Sequence, residues 1–208
     1  VIELAVAPYP EGDINLEPGD VIVVSGGARG VTAECVKALA GRTPAAIALL
    51  GRSPSPVEEP EWLKSVTGEA EIKKTIMTNE FAGQKVSPME LEASYKKHMA
   101  NREILETLRH IGGLNRDVAY YPVDIRDREA VKAVFDTIGQ SQGTIRCLVH
   151  GAGVLEDRFI VEKTRRQFDR VFDTKVKGAR TLLSVINPGL LRYVVMFSSV
   201  SARMGNRG

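Results

Sequence analysis

The sequence predicts an α/β fold: a doubly wound parallel sheet with helices on both faces and a helical insertion after the second strand. Three observations lead there. Short apolar runs without alternation, Val21–Val24 first among them, read as strands buried on both faces. Segments with apolar residues at helical spacing separate these runs. The first run also passes through Ser25-Gly26-Gly27-Ala28-Arg29-Gly30 directly into such a segment. Strands alternating with helices imply parallel pairing and right-handed crossovers. In such sheets ligands sit at the carboxyl ends of the strands.

Taken in order, Val1–Val6 alternates, with Ile2, Leu4 and Val6 on one face, and predicts a short strand. Pro8, Pro10, Gly12, Pro18 and Gly19 make a connector of the rest of residues 1–19, and residues 20–208 are expected to form one domain. The helix after the glycine turn carries Val31, Cys35, Val36, Leu39 and Ala40 on its apolar stripe. Ala45–Leu50 is the second strand and ends at Gly51-Arg52-Ser53. Pro54, Pro56 and Pro60 forbid a direct continuation. Residues 57–100 are polar, helical in pattern and balanced in charge, which reads as a solvated helical insertion rather than a docking surface. Arg102–Ile111, closed by Gly112-Gly113, is expected as the second crossover helix. Then follow a strand at Val118–Val123, a helix at Arg128–Ile138 and a strand at Ile145–Val149. A long helix at Thr164–Ile186 and a fifth strand at Leu191–Phe197 complete the pattern.

A chain of 208 residues can bury a core without disulfides or metals, and no metal-ligand set is expected. Twenty-eight basic against 26 acidic residues, both signs interspersed, give no reason to expect a nucleic-acid or membrane partner. No apolar run approaches membrane-spanning length, and no signal-peptide pattern opens the chain. Cys35 and Cys147 both read as buried thiols, which fits a reducing, cytoplasmic location. Because the first residue is Val1, the chain is expected to have been excised from something longer.

The chemistry clusters at strand ends. Gly26, Gly27, Ala28, Arg29, Gly30 and Val31 form a strand–turn–helix junction. There backbone N–H groups and the helix dipole can face a pyrophosphate, although a merely tight connection would look the same. A dinucleotide site that prefers NAD usually has a carboxylate at the end of the next strand; here stand Arg52 and Ser53, with Arg29 as a second cation. An arginine fork and a hydroxyl suit a 2′-phosphate, against the alternative of a surface arginine. Asp124, followed by Ile125, is suited to accept from an adenine amino group or equally to cap a helix. His150-Gly151-Ala152-Gly153 lets the backbone run close under a nicotinamide-ribose, and His150 reads as packed rather than catalytic.

Lys175 falls within the stripe Phe168, Val171, Phe172, Ala179, Leu182 and Ile186, where a lysine is unfavourable unless it snorkels or is paired. The functional reading is an ammonium directed into the site. Gly178, one turn on, suggests close approach of a backbone or a ligand. Ser198-Ser199 ends the last apolar strand in two hydroxyls suited to polarising a carbonyl, without the glycines of a hydrolase elbow.

The ordered set Ser25-Gly26-Gly27-Ala28-Arg29-Gly30, Gly51-Arg52-Ser53, Val123-Asp124-Ile125, His150-Gly151-Ala152-Gly153-Val154-Leu155, Lys175-Val176-Lys177-Gly178-Ala179 and Phe197-Ser198-Ser199-Val200 resembles the ketoreductase domain of polyketide and fatty-acid synthases. That family is a branch of the short-chain dehydrogenase/reductases, with a Rossmann sheet. The likeness runs from about residue 20 to the end. It is strongest to the polyunsaturated-fatty-acid-synthase type, which similarly has a helical insertion after Gly-Arg-Ser. The resemblance implies NADPH as cofactor, a β-ketoacyl group on acyl carrier protein as substrate, and other synthase domains in the same polypeptide. It implies that Ser199 hydrogen-bonds the keto oxygen, that Lys175 tunes a catalytic tyrosine, and that Arg52, Arg29 and Ser53 hold the 2′-phosphate.

Three departures stand out. Thr32 replaces the last glycine of the usual turn, which predicts a slightly wider helix–strand spacing. Leu155-Glu156-Asp157 carries Glu where the family's stereochemical signature has Asp. The family's tyrosine falls past Gly208, whereas Tyr9, Tyr95, Tyr120, Tyr121 and Tyr193 are all misplaced for that role. The expectation is a domain cut before its proton donor and inactive alone, with Val194–Phe197 as an apolar sheet edge. A non-catalytic NADPH-binding or structural domain is the runner-up. A nucleotide-sugar epimerase or dehydratase would more often carry an acid at the position of Arg52.

Overall fold

The computed structural model describes residues 14–114, 116–199 and 201–205. The strand expected at Val1–Val6 lies outside them. Five strands, β1 (Asp20–Ser25), β2 (Ala46–Gly51), β3 (Val118–Pro122), β4 (Thr144–His150) and β5 (Tyr193–Met196), pair in the order β3-β2-β1-β4-β5. Every pairing is parallel, with Val23 opposite Ala48 on one side and Leu148 on the other. The helices are α1 (Gly30–Ala40), α2 (Glu61–Lys64), α3 (Glu69–Asn79), α4 (Pro88–Gly113), α5 (Arg128–Ser141), α6 (Arg165–Phe172), α7 (Gly178–Val185) and α8 (Ser201–Met204).

Strand residues alternate between two cores because successive side chains point to opposite faces. Ile22, Val24, Ile47, Leu49, Cys147 and Val149 pack on Val36 and Ala40 of α1 and Ile104 and Ile111 of α4. Val21, Val23, Ala48, Leu50 and Leu148 pack on Val131, Phe135 and Ile138 of α5 and Leu182 of α7. Burial on both faces accounts for the continuous apolar runs. β5 lies at the edge, with Val194, Val195 and Met196 47, 45 and 43% exposed.

Several expectations are corrected. The buried residues of α1 are Thr32, Ala33, Val36 and Ala40, whereas Val31 is 75% exposed and Cys35 is an exposed thiol. Leu39 takes the intermediate place, packed at the margin of the first core, so the stripe is rotated by one position. Cys147 alone is buried, and burial pushes its thiol up to about 11.

The insertion and the second crossover helix do not meet at residue 100; α4 spans both. A capping box of Ser87 and Glu90 with Pro88 in the first turn starts it, and no helix breaker intervenes before Gly112-Gly113. The insertion is also more than solvated polar helix. Leu63, Ile72 and Ile76 are buried together, covered by Trp62, Tyr95 and Met99. Arg102 fastens it, donating to Glu59 (2.7 Å) and to the carbonyls of Leu63 (2.9 Å) and Val66 (3.0 Å).

The long helix expected over Thr164–Ile186 contains a π turn at Asp173–Lys177 between α6 and α7. The wider turn shifts helical phase, so residues before it leave the face that residues after it bury. Phe168 and Phe172 are accordingly about half-exposed, while Leu182 is fully buried.

Candidate functional site

At the carboxyl ends of β1, β2 and β4 lies a cleft of about 640 Å³, within the range of small-molecule and cofactor sites. It sits where strand order reverses between β1 and β4, the switch point of a doubly wound sheet. A smaller hollow of about 370 Å³ between α5 and α7 is at the opposite ends of the strands, away from these groups.

The turn after β1 forms one wall. Gly26 has φ +72°, and a methyl group built on it would lie 2.8 Å from Ala152 Cα. Backbone bonds hold this approach: Gly26 N donates to Leu50 O (2.8 Å) and Gly151 N to Ser25 O (3.0 Å). Gly26, Ala28, Arg29, Gly30 and Val31 line the cleft. Gly27 instead faces the sheet, where a methyl would collide with Val24, so its work is helix–strand packing. Arg29 precedes α1 in extended conformation without a side-chain cap, leaving the first helical amides for an anion. The Thr32 side chain occupies the space that the missing Cβ of Gly151 leaves.

Arg52 and Ser53 line the same cleft as Arg29 and Gly30. Tyr120 braces this end, its hydroxyl donating to Ser53 O (2.9 Å). Asp124 and Ile125 also line the cleft. The helix-cap alternative for Asp124 is resolved: α5 is capped by Asp127, which accepts from Glu129 N and Ala130 N (both 3.1 Å). Asp124 instead accepts from the Arg126 guanidinium (2.6 Å), which holds its carboxyl below the usual value, with Arg52 adding to the effect.

His150 is 6% exposed and has both ring nitrogens engaged. Nε2 lies 2.9 Å from the Lys175 carbonyl, which can only accept, so Nε2 carries the proton. Nδ1 then accepts from the Ser25 hydroxyl at 2.7 Å. This ring ties β1, β4 and the π turn together and is not free for catalysis. Burial is the main cause that lowers its pKa, and the neighbouring Lys175 charge acts the same way. A depressed pKa means the unfolded chain binds the extra proton first. The stability that neutral His150 contributes is therefore complete above 6.5 and lost as pH falls through its folded value. His150→Gln is expected to flatten the dependence of melting temperature on pH just below 6.5; an unchanged slope would remove this role.

Lys175 departs from expectation in one respect. It is exposed, not on a core-facing stripe, because the π turn carries it off that face. Its side chain still enters the cleft, with Cε and Nζ 3.5 and 3.6 Å from the position of a methyl on Gly153. A Cβ on Gly178 would lie 2.9 and 2.5 Å from Ile125 Cγ1 and Cδ1, so the close neighbour here is a side chain and not another backbone.

Ser199 is not brought into the cleft lining. β5 ends at Met196, and Ser199 is exposed, its Oγ accepting from Ser201 N (3.2 Å) at the start of α8. Glu156 is ion-paired with Arg170 of α6.

The set fits a dinucleotide: a glycine turn closed to a Cβ at Gly26, uncapped helical amides, and the two arginines Arg29 and Arg52 in one cleft. A family model described as KR domain matches residues 20–208. The chain belongs to the ketoreductase (KR) domain family. It is 32% identical over 212 aligned residues to one of the polyunsaturated fatty acid synthase proteins of a Thraustochytrium species, covering 94% of this chain and 8% of that protein. It is 33% identical over 104 residues to a highly reducing polyketide synthase of Alternaria alternata, covering 50% of this chain and 4% of that one. The KR chain thus spans a small part of these curated relatives. Among solved structures, a ketoreductase domain from the bacillaene assembly line superposes with a TM-score of 0.62 at 25% identity, covering 95% of this chain and 37% of that one. An N-terminal ketoreductase from the macrolactin assembly line gives 0.67 at 24% identity, with 95% and 32% covered, and shows the shared fold.

The sequence left some of the cleft unnamed. Glu103 and Ile104 of α4 line it, and Thr107 Oγ1 donates to Ala28 O (3.0 Å) from the same helix. Nothing local marks them, because α4 reaches the glycine turn only through tertiary packing. Tyr120 is signalled only by its place in β3, next to the glycine end of β2.

Proposed function

We propose that this KR chain is the NADPH-dependent β-ketoacyl reductase of a multifunctional polyketide or fatty-acid synthase. In this reading, residues 20–208 belong to the reductase domain, acyl carrier protein presents the β-ketoacyl group, and other synthase domains share the polypeptide in the cytoplasm. The observation that carries it is one cleft holding the glycine turn, Arg52 and Lys175 together. The named relatives support the synthase setting.

NADPH, when bound, supplies the hydride that converts the ketone to an alcohol. Arg52, Arg29 and Ser53 hold its 2′-phosphate by charge-assisted hydrogen bonds. Asp124 and Ile125 border the adenine, and Gly26, Ala28, Arg29, Gly30 and Val31 face the pyrophosphate, with Gly27 packing the turn against the sheet. The small residues Gly151 and Ala152, positioned by His150, allow close approach of the nicotinamide-ribose. The Lys175 ammonium favours the ionised form of a neighbouring acid and so lowers its pKa toward working pH. The Ser199 hydroxyl accepts from Ser201 N and retains its own proton to donate to a keto oxygen.

The test is NADPH oxidation by the full-length protein with a β-ketoacyl thioester, or with trans-decalone as a ketone surrogate. Ketone-dependent oxidation is the expected result. Binding of NADPH without oxidation supports the alternative, a non-catalytic NADPH-binding domain, which draws on the position of Ser199 outside the cleft lining.

A further inference from the structure

Arg29, one of the two arginines assigned to the 2′-phosphate, already holds an anion. Its Nε donates to Glu103 Oε2 at 3.0 Å, with the two side chains 46 and 44% exposed. Glu103 does not ride on a loose segment. One residue on, Ile104 is 1% exposed in the core, and Thr107, 2% exposed, hydrogen-bonds the carbonyl of Ala28 in the glycine turn. α4 is thus fastened to the loop that precedes Arg29, and its carboxylate is held at the cleft beside Arg52 and Ser53.

We propose that Glu103 is a specificity-determining residue, an internal carboxylate that competes with the cofactor's 2′-phosphate for Arg29. The inference rests on the reading of Arg29 and Arg52 as 2′-phosphate ligands. A 2′-phosphate drawn to Arg29 has to share its guanidinium with Glu103 or displace it, and either way a carboxylate stands near a new negative charge. A nucleotide with a free 2′-hydroxyl makes no such demand. Glu103 therefore weakens binding of the phosphorylated cofactor selectively and narrows discrimination against the unphosphorylated one.

Two probes isolate this effect: adenosine 2′,5′-bisphosphate and adenosine 5′-monophosphate, which differ only in the 2′-phosphate. Calorimetric titration of the full-length protein is expected to show Glu103→Gln binding the bisphosphate about two- to fivefold more tightly, the range that an exposed ion pair commands. Affinity for the monophosphate stays unchanged, and the gain shrinks as salt screens it. In an Arg29→Ala background the gain from Glu103→Gln largely disappears. An unchanged or weaker affinity for the bisphosphate overturns the proposal. So does an equal gain for the monophosphate, or an undiminished gain without Arg29. If the wild type itself binds the bisphosphate no better than the monophosphate, the assignment of Arg29 and Arg52 has failed and this inference falls with it. If the wild type discriminates but Glu103→Gln changes nothing, only the role of Glu103 is lost.

Discussion

Lys175→Ala in the full-length protein is expected to lower ketone-dependent NADPH oxidation by about 10²- to 10⁴-fold, the range of positioned acid–base catalysis. The backbone of Lys175 is fixed by the His150 Nε2 bond at 2.9 Å, and its ammonium lies over Gly153 in the cleft. A cation there stabilises the ionised form of any acid it faces. Lys175→Met should therefore move the pH–rate profile toward higher pH as well as reduce its height. A role limited to packing would leave the profile's shape unchanged. In the same assay Ser199→Ala should lose turnover while retaining NADPH binding, since Ser199 contributes no cleft lining.

Gly26→Ala is expected to be the most damaging single change at the cradle. The new methyl would lie 2.8 and 2.9 Å from Ala152 Cα and N, at φ +72°. These are backbone atoms of β4's continuation and cannot rotate away. Strain and overpacking together should destabilise by about 2–6 kcal/mol, and NADPH binding should be lost with the geometry. Gly30→Ala separates the two causes. Gly30 has φ +61° with nothing within 4 Å of its added methyl, so only the conformational part remains, about 1–2 kcal/mol. Equal melting-temperature losses in the two variants would refute the close approach.

The sheet was legible because its central strands β1, β2 and β4 are buried on both faces, which writes an uninterrupted apolar run into the sequence. The glycine turn and Arg52 were legible for a related reason, since they follow those runs directly. The π turn was not. Asp173–Lys177 carries no signal distinguishing it from α-helix, so the stripe through Phe168, Phe172 and Lys175 was drawn in one phase where the fold uses two. The length of α4 was hidden by the charged pattern of residues 57–100, which conceals a small core around Leu63, Ile72 and Ile76. Glu103 was missed on the same account. An acid brought in by a helix 74 residues along the chain from Arg29 leaves no motif.

Asp124 shows the limit from another side. Residue type alone left adenine contact and helix capping equally open, and the structure removes the capping option by giving that task to Asp127. Thr32 and Gly151 form a compensated pair that neither position reveals by itself.

In the proposed function this cleft receives a nucleotide through its 2′-phosphate. Paired titrations of wild type and Arg52→Asp with NADPH and with NADH test it directly. The expected result is a wild-type preference for NADPH, and a loss of NADPH affinity of about tenfold or more in Arg52→Asp with NADH binding spared. A coenzyme preference that the substitution leaves unchanged would contradict it.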